Sequence, residues 1–478
     1  MNTLDKAISF ISPKWGYERQ KYRHYEAASF GRRAKSFEKA RSTGPNLEIS
    51  SALTTLRNRS RFFVRNNGWA KRAIEAITNN TVGEGIRPAP VGTKNQVKKV
   101  KKLWKDWAES TACDWYGKNT FYGLQSLAMH EIAEGGEVIV VKRKVKPTID
   151  NPIPIQIQIV EGDQLDHTKD SVSKDGGYIR LGVEYESNGK VKGYWVYDQH
   201  PTDGTGTFMK LDSSFISKED CLHVYELLRI GQIRGIPMGV ASFIKLSDFS
   251  DYEDAQLMRQ KVAACFAAFV TGDETDSSLT ERIEPGIIQH MAQGETVTFA
   301  NPPTTQDYDT YTTKILQGIA ASYGITYEML TMDYSKVNFS SGRMAQINVI
   351  ANFKKLQYNM LVPQMCVPVW NWFMEGAMVA GLTTVRITCS STDWTAPRIQ
   401  QLDPVKETNA RVLQIQAGLT TLSEIIREDG RDPEEFFEEI KTEREQLKAM
   451  GINLSSIVIP PEPVEDSNTE KDEKGNQN

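Results

Sequence analysis

Asp248, Asp251, Glu253 and Asp254 place four carboxylates within seven positions. Carboxylates grouped this way can hold Mg²⁺ and activate water for phosphodiester cleavage. No Lys or His stands among them, however, and a solvated acidic face of a helix accounts for the spacing more simply. The stretch His130–Glu137, "HEIAEGGE", opens like a zinc-protease helix, but Glu134 stands where the second metal-binding His must be. The chain has six His residues in all, and they are dispersed. "VGEGIRP", Val82–Pro88, offers Gly83 and Gly85 without the third glycine or the strand-turn-helix setting of a dinucleotide site. There is no GxxxxGK[ST] loop to bind ATP. These residues predict no enzyme, no metal and no cofactor.

The elements around these residues read as α+β. Apolar positions Leu53, Leu56, Phe63, Ala70, Ala73 and Ile77 predict one helix over 47–81. Within it, "LRNRSRFFVRNNGWAKR" mixes Arg57, Arg61 and Arg65 with Phe62, Phe63 and Trp69. Such interleaving suits a single nucleic-acid strand; equally, the aromatics belong to a core and the arginines pair with carboxylates of a neighbouring subunit. Two more helices are predicted at 95–110 and 123–134, then an antiparallel β region over about 135–230 with a hairpin at Asn188-Gly189. From Val240 to Thr271 the chain has neither Gly nor Pro, which predicts one long helix. A short β piece follows, then a helix over 307–323. A long helix carrying Ile347, Ile350, Phe353, Leu356 and Met360 is expected to stop at Pro363, before a strand at 383–390 and a C-terminal helical region. Between the last two long helices lies "DYSKVNFSSGRMAQ", Asp333–Gln346, polar and carrying only Lys336 and Arg343 as cations. Ser340 or Ser341 is expected to cap the helix that follows.

The 478 residues, 39% hydrophobic and 25% charged, suit a chain with a real core. Five dispersed cysteines with no CxxC pair read as reduced thiols. The N-terminus has no signal-like apolar core, and "VAACFAAFV" is far shorter than the roughly 20 residues of a membrane span, so synthesis in cytoplasm is expected. The net charge of −4 conceals a division. Of 57 Lys and Arg, 23 fall in the first 105 residues against 7 carboxylates, leaving 34 against 54 in the remainder. The first part suits a polyanion or an acidic partner, and the rest repels nucleic acid.

In order along the chain, "LRNRSRFFVRNNGWAKRAIEAITNNTVGEGIRPAP", "IVEGDQLD", "IRGIPMGVASFIKLSDFSDYEDAQLMRQKVAACFAAFV" and "YGITYEMLTMDYSKVNFSSGRMA" resemble the portal proteins of lambda-type tailed phages. The resemblance spans about Tyr17 to Ile452, and the ordered set carries it more than any single motif. It implies a portal fold with a basic arm (1–45), a wing (46–239), stem helices at 240–271 and 307–324, a clip (272–306) and a tunnel loop (325–342). A wing helix and strand (343–394), a crown (395–455) and a disordered acidic tail (456–478) complete it. It further implies a homo-oligomeric ring, a dodecamer at one capsid vertex of the virion, through which double-stranded DNA is packaged and ejected. Partners would be the terminase large subunit, major capsid protein and scaffold, and head-completion or adaptor proteins, with no membrane.

On that plan Lys336, Val337, Asn338, Phe339, Ser340 and Ser341 border DNA, and Lys336 meets phosphate. Arg343, with Arg57, Arg61 and Arg65, serves structure or subunit contacts, and the acidic stem face (Asp248, Asp251, Glu253, Asp254) keeps DNA from sticking. The alternatives are a Mg²⁺-dependent nuclease built on the acidic cluster, and a capsid scaffold or adaptor without a channel.

Overall fold

The computed structural model describes residues 8, 10–15, 42–149, 151–172, 176–203, 212–264, 268–271, 296–299, 308–384, 392–397, 404–429, 431 and 433–451. Most of the expected arm, most of the clip, the strand at 383–390 from its third residue on, and the acidic tail lie outside the described residues.

Helices α1 (Pro45–Asn66) and α2 (Gly68–Thr81) replace the single predicted helix. The break is Asn67, extended at φ −124° and ψ 119°, whose side-chain oxygen accepts the N–H groups of Trp69 at 3.0 Å and Ala70 at 3.1 Å. Apolar periodicity runs through the break because Phe63 and Val64 of α1 pack against the same core that holds Ala70, Ala73 and Ile77 of α2. The Asn-Asn-Gly triplet, a helix start in its own right, decides the local geometry.

After β1 (Arg87–Pro90) come α3 (Lys94–Ala108) and α4 (Phe121–Gly135). The β region holds β2 (Glu137–Lys144), β3 (Ile155–Glu161), β4 (Ser171–Val172), β5 (Tyr178–Arg180), β6 (Val183–Tyr185), β7 (Val191–Val196), β8 (Ser214–Ser217) and β9 (Cys221–Tyr225). They form two antiparallel sheets, in the orders β3-β2-β9 and β4-β5-β6-β7-β8. The predicted hairpin joins β6 to β7, with Gly189 at φ +81°. Strand β2 is buried on both faces, and the pleat sends alternate residues to different cores. Val138 and Val140 join the large helix-lined core, whereas Ile139 and Val141 meet Val183 and Val196 of the five-stranded sheet. In the large core Trp104 packs against Trp370, Phe373 and Phe121, with ring centroids 4.9, 5.0 and 5.3 Å away.

The run expected as one helix over 240–271 divides into a 3₁₀ turn (Val240–Ser242), α5 (Phe243–Ala264) and strand β10 (Ala268–Thr271). β10 pairs antiparallel with β11 (Thr296–Phe299), Ala268 opposite Phe299 and Thr271 opposite Thr296. A run without Gly or Pro permits a helix, but these β-branched and aromatic residues have a matching strand and pair with it. Helix α6 (Tyr308–Tyr323) returns beside α5, with the Tyr252 ring 6.0 Å from Tyr308 and 4.7 Å from Tyr311.

The short α7 (Tyr327–Thr331) precedes α8 (Phe339–Leu356), which begins earlier than expected. The carbonyl of Asn338, not a residue at 340 or 341, accepts the first helical N–H, from Gly342 at 3.0 Å. Nor does Pro363 end the helix. A π-helical segment, Gln357–Cys366, carries it into α9 (Val367–Val379), with Val367 N–H bonded to the Val362 carbonyl. The wider turn accommodates the ring and the missing N–H of Pro363. Strand β12 (Thr392–Thr395) pairs with β1, and α10 (Pro404–Gln416), α11 (Leu422–Glu428) and α12 (Pro433–Ala449) follow.

The chain divides into two compact units, 1–53 with 228–233, and 54–227 with 234–478. In the first, Asn46 clasps the loop 228–233, donating to the Gly231 carbonyl at 2.8 Å and accepting the Ile233 N–H at 3.0 Å. The second holds both cores. Within it, Asn67→Ala should remove the cap between α1 and α2 and cost about 1 kcal/mol, read as a lower midpoint in thermal or urea denaturation.

Candidate functional site

The loop between α7 and α8 is shorter than the sequence suggests, residues 332–338, and is a succession of local turns. Met332 ends α7 in the left-handed region at φ +59°. The Asp333 carboxylate accepts the Ser335 N–H at 3.0 Å, and the Val337 N–H reaches the Tyr334 carbonyl at 3.2 Å. At its start, Arg72 of α2 donates to the Met329 carbonyl at 3.1 Å. In its middle, Lys336 Nζ lies 2.8 Å from Asp309 Oδ2 at the first turn of α6, and both side chains are exposed. Lys336 is therefore held by an ion pair open to water, the kind that exchanges readily for another anion. Val337 is half-buried, Asn338 exposed, and Phe339, Ser340 and Ser341 form the first turn of α8. Arg343, inside that helix, is exposed.

On α5 the sequence pattern places Asp248, Asp251 and Asp254 on the exposed side, with Glu253 half-buried. Burial and the neighbouring Asp254 raise the Glu253 pKa. These carboxylates do not converge as ligands of one ion. Among the described residues, the group close enough for that is Glu161, Asp163 and His200, where the Arg61 guanidinium already pairs with both carboxylates.

Of the roles expected for the arginines of the basic-aromatic stretch, Arg57 and Arg61 take the structural one within this chain. Phe63 and Trp69 pack on the core while Phe62 is exposed. Arg65 is exposed, but Arg57 is buried and Arg61 partly so, and their carboxylates come from the same chain. At the centre stands Glu137, fully buried at the first residue of β2. Its Oε1 accepts from Arg57 Nη2 at 2.6 Å and from Arg234 Nε at 2.7 Å. Its Oε2 accepts the Gly235 N–H at 2.6 Å and faces His223 Nε2 at 2.9 Å. Arg57 also bonds the Gly135 carbonyl at 2.8 Å, and Arg234 bonds the carbonyls of Leu181 at 2.8 Å and Gly162 at 2.9 Å.

Two glycines make this approach possible. A Cβ on Gly162 would lie 2.6 Å from Glu137 Cγ and 2.9 Å from Arg57 Nη2. Gly136 turns the chain from α4 into β2 at φ +94°, where a Cβ would sit 2.5 Å from the Ile236 backbone. Burial opposes the charge on Glu137, but Arg234, Arg57 and His223 outweigh it and hold the carboxyl well below its usual range. Burial also lowers the His223 pKa against the pull of Glu137, so a neutral imidazole donates its Nε2–H. Nearby, burial pushes Glu131 up to about 8 although Arg61 lies 3.1 Å away.

The sequence reading passed over Glu137, His223 and Arg234. A signal was there: Glu137 stands between a Gly-Gly pair and four apolar residues, and Arg234 between Ile233 and Gly235. The strings that carried the resemblance supply Arg57, Asp163 and Arg234, far apart in sequence and joined here in space.

Arg234→Met should strand the buried carboxylate and cost roughly 3–5 kcal/mol in denaturation. The two acids give opposite pH signatures. Stability supplied by Glu137 is present above its unfolded pKa and is lost as pH falls through the acid range. Glu131, whose folded pKa of about 8 exceeds its unfolded value, costs stability as pH rises toward 8. Glu131→Gln should therefore match the parent melting temperature near pH 5 and exceed it by several degrees near pH 8.5 in a melting series.

A family model described as phage portal protein, lambda family, matches residues 30–357. The probable portal protein of Halomonas phage phiHAP-1 is 24% identical over 427 residues, which cover 83% of this chain and 81% of the relative. The portal protein of Escherichia phage N15 is 24% identical over 457 residues, 82% of this chain and 84% of that one. Portal protein B of Escherichia phage lambda is 23% identical over 455 residues, covering 81% and 83%. Among solved structures, a chain from the neck of a native gene transfer agent particle, computed with C12 symmetry, is 12% identical with a TM-score of 0.47, over 80% of this chain and 94% of that one. With the family model covering more than half its length, the chain belongs to the lambda family of phage portal proteins.

Proposed function

We propose that this portal protein assembles with copies of itself into a ring, twelve-fold at one capsid vertex, and that double-stranded DNA passes through the ring during packaging and ejection. The observation that carries the reading is the outer half of α5. Phe243, Leu246 and Phe249 are buried in the chain's own core, but beyond Tyr252 the helix continues with Leu257 51% and Met258 61% exposed. A helix with apolar side chains and no cover from its own described residues is what neighbouring copies would bury. The exposed carboxylates of the same helix would present like charge to DNA, so that phosphates find few lasting contacts. In this reading loop 332–338 borders the channel, and phosphate competes with Asp309 for Lys336.

The chain catalyses nothing itself. The terminase large subunit would dock on the ring and drive packaging, and head-completion or adaptor proteins would replace it. Scaffold and major capsid protein would surround the ring in the virion, with the chain synthesised in the host cytoplasm.

Mass photometry and negative-stain images of the purified protein test the ring. A closed ring with an axial hole is expected, and Leu257→Asp with Met258→Asp should shift most of it to monomer. A single small species, or DNA cleavage with Mg²⁺ lost on changing Asp248 and Asp251, would favour the other readings. Lys336→Glu should leave rings intact while lowering the yield of DNA-filled heads at least tenfold in a packaging assay; unchanged yield would reduce the loop to a connector.

A further inference from the structure

Helix α3 has two contrasting faces. Val97, Val100, Trp104 and Trp107 are buried at intervals of three and four. Lys98, Lys102 and Lys105 are exposed with the same period, and Lys101 beside them is half-buried. Cations on successive turns stand about 5.4 Å apart along the axis, a row of like charge along which a polyanion can lie. No large apolar side chain is exposed along α3, so this face offers charge without the apolar anchor on which protein partners depend.

The lysine row forms one wall of a cavity of about 1220 Å³ whose lining also includes Arg87, Arg427 and Arg431. Trp370, fully buried, lines it too, and its indole N–H has no acceptor among the described residues. The Arg87 Nε–H is likewise without one, although its Nη1 pairs with Glu109 Oε1, also in the lining, at 2.7 Å. The lining on the α12 side carries Glu434, Glu438 and Glu439. Glu438 Oε1 lies 3.7 Å from Lys98 Nζ, both side chains exposed, and Glu439 pairs with Arg431. Glu438 of α12 thus sets a carboxylate against the lysine row, in the place a phosphate would take.

We propose that the lysine face of α3 is a second nucleic-acid contact, which takes the phosphate backbone of DNA along the helix, and that the carboxylates of α12 occupy that place when no phosphate does. It rests on the reading that this protein handles DNA, but it lies outside loop 332–338 and its test does not depend on a channel. Binding of a short labelled duplex to the full-length protein is measured by fluorescence anisotropy across a salt series. Lys98→Gln, Lys102→Gln and Lys105→Gln combined should weaken binding at least tenfold and reduce the salt slope by about 2–3. Glu434→Gln, Glu438→Gln and Glu439→Gln combined should tighten it several-fold, while Lys336→Glu leaves it within twofold. On the unaltered protein, duplex should protect Lys98 and Lys102 from acetylation but not Lys190 on the β6–β7 hairpin. Unchanged affinity and slope in the lysine variant, or no protection of those lysines, overturns the proposal. So does displacement of the duplex by poly-glutamate at lower charge concentration than by unlabelled DNA, which would assign the face to an acidic protein.

Discussion

A carboxylate with no access to water, required to keep its charge, is the constraint around which this chain is organised. Glu137 would be costly to bury alone, and neutral if it could be. It stays charged because Arg57 comes from α1, Arg234 from the segment before α5, and His223 from β9. The arginines then use their remaining donors on the carbonyls of Gly135, Gly162 and Leu181, where helix, strand and turn meet. The ions do not need to add net stability to matter. A buried pair often does no better than apolar residues of the same volume, yet leaving one ion without its partner is severe. What the cluster does is tie the α4–β2 junction, the end of β3 and the approach to α5 into one permitted arrangement.

This explains which parts of the structure were legible in the sequence. Patterns of period two and of three to four report one face of one element. With the Asn188-Gly189 turn signal they located the β region and its hairpin, the helix at α3, and the buried Phe353 and Leu356 of α8, though Ile347 of the same stripe is exposed. Patterns of that kind do not register a single capping side chain or a distant partner strand. So the break at Asn67, the pairing of Ala268–Thr271 with Thr296–Phe299, and the continuation of the helix past Pro363 escaped them. Glu137 escaped for a deeper reason. Its partners lie 80 positions before it and 97 after, and only a fold brings them together. The family strings contained Arg57, Asp163 and Arg234 all along, but as fragments in order, without the carboxylate that relates them.

The same physics separates the scaffold from the surfaces proposed to act. Ions in the Glu137 cluster are desolvated, bonded through nearly every donor and fixed by glycines that leave no room for a side chain. The ion pairs at the loop and on α3 are the reverse. Lys336 with Asp309, and Lys98 with Glu438, are exposed pairs between long side chains, screened by salt and weak. Weakness suits a surface past which a polyanion moves, since a phosphate can replace the carboxylate at little cost and be replaced in turn. Arginine forks sit in the core, where a fixed bidentate geometry is useful. Lysines stand at the loop and along α3, where a mobile point charge that releases its partner is the better chemistry. At these sites, though not along the whole chain, where Lys142 is buried beside Asp220 and Arg65 and Arg343 are exposed, the choice of cation matches what each charge does or is proposed to do. The buried arginines hold their partner, and the exposed lysines are proposed to release theirs.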